Sequence, residues 1–135
     1  MNMKKMFVAA FAALAALLFV ACDSPERTVK NFHEGAIERD SELLAKSIYI
    51  DRSARKIIKE VGEKDYFKSK YEKIHENEDD LAELKSYEII GSVEDGDDIV
   101  YVFVAYKKEG KQDSDVKVRK YTCEKVHGEW KIFLP

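Results

Sequence analysis

The chain has 135 residues, 45% of them hydrophobic, with 23 basic and 26 acidic side chains, a formal charge of -3 and two cysteines. This composition excludes a disordered, collagen-like or disulfide-rich chain, and the length sets one domain as the default. Two cysteines allow one bridge at most, and the acidic balance argues against a nucleic-acid binder.

Residues 1–21 are unlike the rest, with only Asn2, Lys4 and Lys5 polar among them. A short basic start precedes an unbroken apolar run from Met6 to Ala21, and Asp23-Ser24-Pro25 ends it. Charged start, apolar middle and small residue at the cut make the layout of a signal peptide helix. The run of 16 residues falls short of the ~20 that a bilayer-spanning helix needs.

The stretch Phe19-Val20-Ala21-Cys22 resembles the lipobox of bacterial lipoproteins, with Phe19 standing where Leu is commonest. The resemblance implies cleavage between Ala21 and Cys22 and lipidation of Cys22 on its sulfur and then its amino group. Sulfur is the nucleophile that takes the diacylglyceryl group. Two or more acyl chains make a stable anchor, where one alone is marginal. In some double-membraned bacteria an aspartate directly after the lipid cysteine, as Asp23 is here, favours retention in the inner membrane. The expected location is therefore the cell envelope, on the outer (periplasmic or extracytoplasmic) side of a bacterial membrane, inner or outer left open. Residues 22–135 then form one domain anchored through Cys22. Without Lys4 and Lys5 its net charge is -5, and Cys123 is its unpaired thiol.

The first half of that domain reads as helix. Ser24 is a good N-cap and Pro25 suits the first helical position. Val29, Phe32, Ala36 and Ile37 form one apolar stripe, and Gly35 marks close packing. Asp40 or Ser41 caps a short second helix with Leu43, Leu44 and Ile48 inward. Asp51 caps a third, with Ala54, Ile57, Ile58 and Val61 on one face. Asp65 opens a fourth through Phe67, Tyr71 and Ile74. The acidic run Glu76-Asn77-Glu78-Asp79-Asp80 interrupts it, before a short turn around Leu81 and Leu84.

The second half reads as strand. Tyr87, Ile89 and Val93 alternate, and Glu94-Asp95-Gly96-Asp97-Asp98 is turn chemistry. Ile99 to Tyr106 is an eight-residue apolar run expected to be covered on both faces. Lys107 to Ser114 is a polar loop. Asp115 to Val126 is a third strand whose apolar phase shifts, predicting a bulge near Arg119-Lys120. His127-Gly128 is a two-residue hairpin turn. Glu129 to Leu134 closes the sheet, with Trp130, Ile132 and Leu134 on one face.

Helices followed by about four antiparallel strands predict an α+β fold with the helices on one sheet face. The segment Ser24-Pro25-Glu26-Arg27-Thr28-Val29-Lys30-Asn31-Phe32, the Val/Tyr-rich strand 99–106 and the closing Gly128-Glu129-Trp130-Lys131-Ile132 carry a further likeness. The chain resembles small bacterial lipoproteins with a nuclear transport factor 2-like domain. That resemblance implies a cone, in which a curved sheet wraps the helices and leaves a cavity at its open end. It also implies pairing of two copies through the sheet face.

No two histidines share a metal-type spacing. His33, beside Phe32, reads as a helix-face or packing residue; His75 and His127 read as solvated. Cys123 reads as a small buried hydrophobe. The 94–98 turn lacks calcium-loop spacing, and Lys107, Lys108 and Lys111 read as a solubilising loop tip. Phe32, Tyr71, Tyr101, Phe103 and Trp130 are the candidates to line a cavity, which suits a small ligand. No phosphate loop, nucleophile elbow or paired-cysteine motif is present, so no cofactor or metal is expected. The expected function is a non-enzymatic, membrane-anchored domain binding a small ligand or another protein. The alternative is an enzyme of isomerase or dehydratase type using the cone cavity.

Overall fold

The computed structural model describes residues 23–107 and 116–134. The signal segment, Cys22, Lys108 and Lys111 lie outside the described residues. Among those described, five helices precede a four-stranded antiparallel curved sheet of order β1-β2-β3-β4.

Helix α1 spans Pro25–Glu38. Ser24 sits in extended conformation and its hydroxyl accepts from the Arg27 N–H at 3.1 Å, so the cap forms as expected. The helix stops where Arg39 turns left-handed and donates its N–H to Gly35. A Cβ on Gly35 would lie 3.0 Å from Leu44 Cγ and 3.1 Å from its backbone nitrogen, so glycine lets the two helices touch. Helix α2, Ser41–Ser47, is capped by Asp40 through the Leu43 N–H and buries Leu44. Helix α3, Arg52–Val61, is capped by Asp51 through the Ala54 N–H. It buries no residue. Ala54 and Ile58 are half-covered, while Ile57 and Val61 face water, so only half of the expected stripe reaches the core.

Helix α4, Glu63–Glu76, starts two residues before the expected Asp65 and places Phe67 and Tyr71 in the core. The acidic run does break it. The Asn77 side chain takes the N–H groups of Asp79 and Asp80 and starts helix α5, Glu78–Lys85, where the sequence suggested only a turn. Three carboxylates in the first turn of α5 favour the helix, because they meet the positive end of its dipole.

Strand β1 is Tyr87–Glu94, β2 Ile99–Tyr106, β3 Lys117–Val126 and β4 Glu129–Phe133. The β2–β3 register runs unbroken from Ile99↔Glu124 to Tyr106↔Lys117, so the expected bulge at Arg119-Lys120 is absent. Arg119, Tyr121 and Cys123 all face inward; the apparent phase shift arises because a charged residue holds the inward position at the sheet's open end. The irregularity lies in β1 instead, between Ile89 and Gly91. It turns Val93 outward, where it is 55% exposed.

The long apolar run of β2 is covered on one face only. Val100, Val102, Val104 and Tyr106 are buried under the helices, while Tyr101, Phe103 and Ala105 stay half-exposed on the outer face. Both residues of the His127-Gly128 turn have positive φ, as a two-residue hairpin requires.

The core has two parts. Val29 of α1 sits with Val100, Val102, Val104, Cys123 and Ile132 of the sheet. Ala36, Leu44, Phe67 and Tyr71 form a second cluster between the helices. The outer edge of β4 is covered where the Tyr49 N–H donates to Ile132 O at 2.8 Å. Beyond the end of β4, the 117–121 stretch of β3 has no strand on that side among the described residues.

Candidate functional site

Strands β2 and β3 and helix α1 bring a polar chain into the open end of this sheet. His33 is fully buried on α1, within the apolar stripe, one turn after Val29. Its Nδ1 lies 2.8 Å from Val29 O, and its Nε2 2.8 Å from the Tyr106 hydroxyl. The Tyr106 and Tyr121 hydroxyls are 2.5 Å apart.

The partners assign the protons. Val29 O accepts only, so Nδ1 carries the hydrogen. Burial pushes the His33 pKa below its ordinary value, against the backbone bond that raises it, so the ring is neutral at neutral pH. Nε2 then accepts from the Tyr106 O–H. Tyr106 in turn accepts from the Tyr121 O–H. The chain ends at Tyr121 Oη, whose only remaining capacity is to accept. Burial raises the pKa of both tyrosines, so neither hydroxyl ionises near neutrality. The imidazole stacks on Tyr87 at 4.1 Å, and Tyr121 meets it edge-on at 5.6 Å. These rings lock the histidine's orientation.

Tyr121 borders a cavity of about 900 Å³ that opens along the free edge of β3. Phe32, Ile74, Leu84 and Leu134 supply its apolar wall. Charges gather at the rim: Asp80 and Glu83 from α5, Arg119 and Lys120 from β3. Glu83 lies 3.4 Å from Lys117 Nζ and 4.0 Å from Arg119 Nη2. Such partly exposed pairs contribute little stability, so Arg119 can exchange partners at little cost. Its guanidinium also sits 5.8 Å from the centre of the Tyr106 ring. An apolar wall with a few convergent polar groups is the composition of a small-molecule site.

Of the five aromatic candidates, Phe32 lines this cavity. Tyr71 lines a smaller one, about 260 Å³, between the helices. The other three border neither. Tyr101 and Phe103 project from the outer face, where Tyr101 donates to Asp95 at 2.9 Å. Trp130 packs on the core at the opposite end of the sheet. The alternation of β2 decides this: with Val100, Val102 and Val104 inward, residues 101 and 103 must face out.

His33, Tyr106 and Tyr121 were not singled out by the sequence as a group. The signal was a histidine within an apolar stripe together with tyrosines on two strands, which gains meaning only once the strands are paired. His75 is half-buried rather than fully solvated, with its Nε2 2.9 Å from Ala36 O. His127 is exposed in its turn. Cys123 is buried as expected, and desolvation pushes its thiol up to about 12, far from a nucleophile's range. Among the described residues, no group of three His, Cys, Asp or Glu side chains is placed to hold a metal ion. No described helix is long and apolar enough to cross a membrane.

Comparison with protein-family models, curated proteins and solved structures gives no match.

Proposed function

We propose that this chain is a lipid-anchored protein of a bacterial envelope whose exported domain binds a small, largely apolar molecule, and that it belongs with the nuclear transport factor 2-like lipoproteins. The order of helices and strands, the curved sheet and the cavity at its open end support the family reading. The cavity's chemistry supports the binding role. One observation carries it: the His33–Tyr106–Tyr121 chain is satisfied internally and ends as an acceptor at an apolar wall. Such a site holds a ligand that offers one hydrogen-bond donor and an apolar body.

The enzymatic reading draws on the same chain, because a line of hydroxyls leading to an imidazole can move a proton. It is the weaker reading. The Nε2 lone pair is already taken by Tyr106, and of the carboxylates lining the cavity, Asp80, Glu83 and Glu124, none is hydrogen-bonded to this chain, while Glu83 faces Lys117 and Arg119.

Native mass spectrometry of the protein extracted from its own membranes tests the binding role. The expected spectrum shows a retained small molecule, lost when Leu84→Trp fills the cavity. Identical spectra for both proteins would overturn it. Cys22→Ala tests the anchor: the protein should leave the membrane fraction, and unchanged membrane association contradicts the lipid reading. The outer sheet face, with Val93 and Val118 at 55% and 56% exposure, supports pairing with a second copy. Sedimentation would show a dimer that Val118→Lys dissociates.

A further inference from the structure

We propose that the Asp23 carboxylate is a clamp that fixes the domain's orientation on the membrane, with the β3–β4 turn against the bilayer and the Arg119 end of the cavity held away from it. The inference rests on the anchoring of Cys22 proposed above. Asp23 is the first residue after that cysteine, and its carboxylate is bonded into the fold. Oδ2 accepts the Trp130 N–H at 2.7 Å. Oδ1 lies 3.3 Å from the hydroxyl of buried Thr28, whose one hydrogen goes to the nearer Ser24 O at 2.8 Å. The chain therefore reaches the domain already fastened to β4. No free linker separates the fold from the lipidated residue, so the domain cannot swing about its anchor as one on a long tether would.

The point of attachment defines an end of the molecule. Trp130 pairs with Lys125, and the Lys125 N–H donates to Asp98 O at 2.8 Å. The His127-Gly128 turn and the Asp95–Asp98 turn therefore lie at the clamped end. Tyr87, Tyr106 and Lys117 pair at the opposite end. Arg119, on the cavity rim, is six residues from Lys125 along β3, roughly 20 Å at ~3.3 Å per residue. The same cavity runs along β3 from Arg119 to Glu124, so a clamped end against lipid places its Arg119 end farthest from the bilayer, in the aqueous compartment.

Site-directed labelling of the lipidated chain in vesicles tests this. Glu129→Cys places a fluorophore at the clamped end and Glu88→Cys one at the far end; buried Cys123 does not compete for label. A quencher carried on lipid headgroups should strongly quench the label at 129 and leave that at 88 near its unquenched intensity. Asp23→Ala should bring the two values together. Asp23→Asn keeps an acceptor oxygen for Trp130 and should preserve the difference, which a role of the charge alone would not. Equal quenching at both positions in the unaltered chain, or an undiminished difference in Asp23→Ala, overturns the clamp. Retention of Cys22→Ala on membranes overturns the anchoring reading instead, so the two failures are distinct.

Discussion

The two ends of the sheet are built from the same strands by opposite means. At the clamped end, Cys123 and Ile132 are fully buried and Val100 nearly so, and Pro25 O lies 3.9 Å from Cys123 Sγ. That end is closed by apolar packing, with Asp23 and Thr28 as its polar fastening. At the other end, Tyr106 and Tyr121 hold the inward positions beside Arg119, and the sheet runs past the end of β4. Inward residues with hydroxyls need partners, and His33 supplies one from α1. The contrast teaches that apolar closure and a polar opening are divided along the strand axis. One end holds the fold, and the other keeps an opening without leaving a buried side-chain polar atom unpaired among the described residues.

Mutations can break this division at either end. Ile132→Ala empties a fully buried site at the closed end and should cost about 2–5 kcal/mol, read by urea denaturation. Ligand retention per folded molecule should be unchanged. Gly35→Ala drives a Cβ against Leu44 side chain and backbone and should cost about 1–3 kcal/mol, again without altering the cavity.

The open end should respond to pH. The pKa of His33 is held below 6.5 in the fold, so the unfolded chain takes up a proton that the folded one refuses. Stability from this group is full above about pH 6.5 and falls as the solution is acidified, by at most about 1.4 kcal/mol per pH unit. His33→Leu should remove that dependence, measured as unfolding midpoints across the acid range. Tyr121→Phe removes the last donor of the chain and should cost about 0.5–1.5 kcal/mol in stability. Its larger effect should be loss of ligand retention, the reverse of the pattern for Ile132→Ala. Ile57→Lys, on the exposed face of α3, should change stability by less than about 0.5 kcal/mol.

Features set by neighbours in the chain were legible in the sequence. The Ser24 and Asp51 caps, the close approach at Gly35 and the His127-Gly128 turn depend on a few adjacent residues, and each is where the sequence places it. Features set by pairing were not. The inward or outward sense of Val93, Tyr101 and Phe103 depends on register and on one irregularity in β1. The role of His33 depends on tyrosines 73 and 88 residues away, as the sequence numbers run. A histidine amid apolar residues has no visible partner until the sheet is laid across its helix.

The most direct test of the account is nitrogen-15 NMR of the His33 ring at neutral pH in the intact protein. The central claim is a neutral ring, protonated on Nδ1, whose Nε2 accepts from Tyr106 and so leaves Tyr121 an acceptor in the cavity. The predicted spectrum has a protonated Nδ1 and an unprotonated Nε2 that shifts in Tyr121→Phe. A doubly protonated ring, or a hydrogen on Nε2 alone, would reverse the chain and contradict the account.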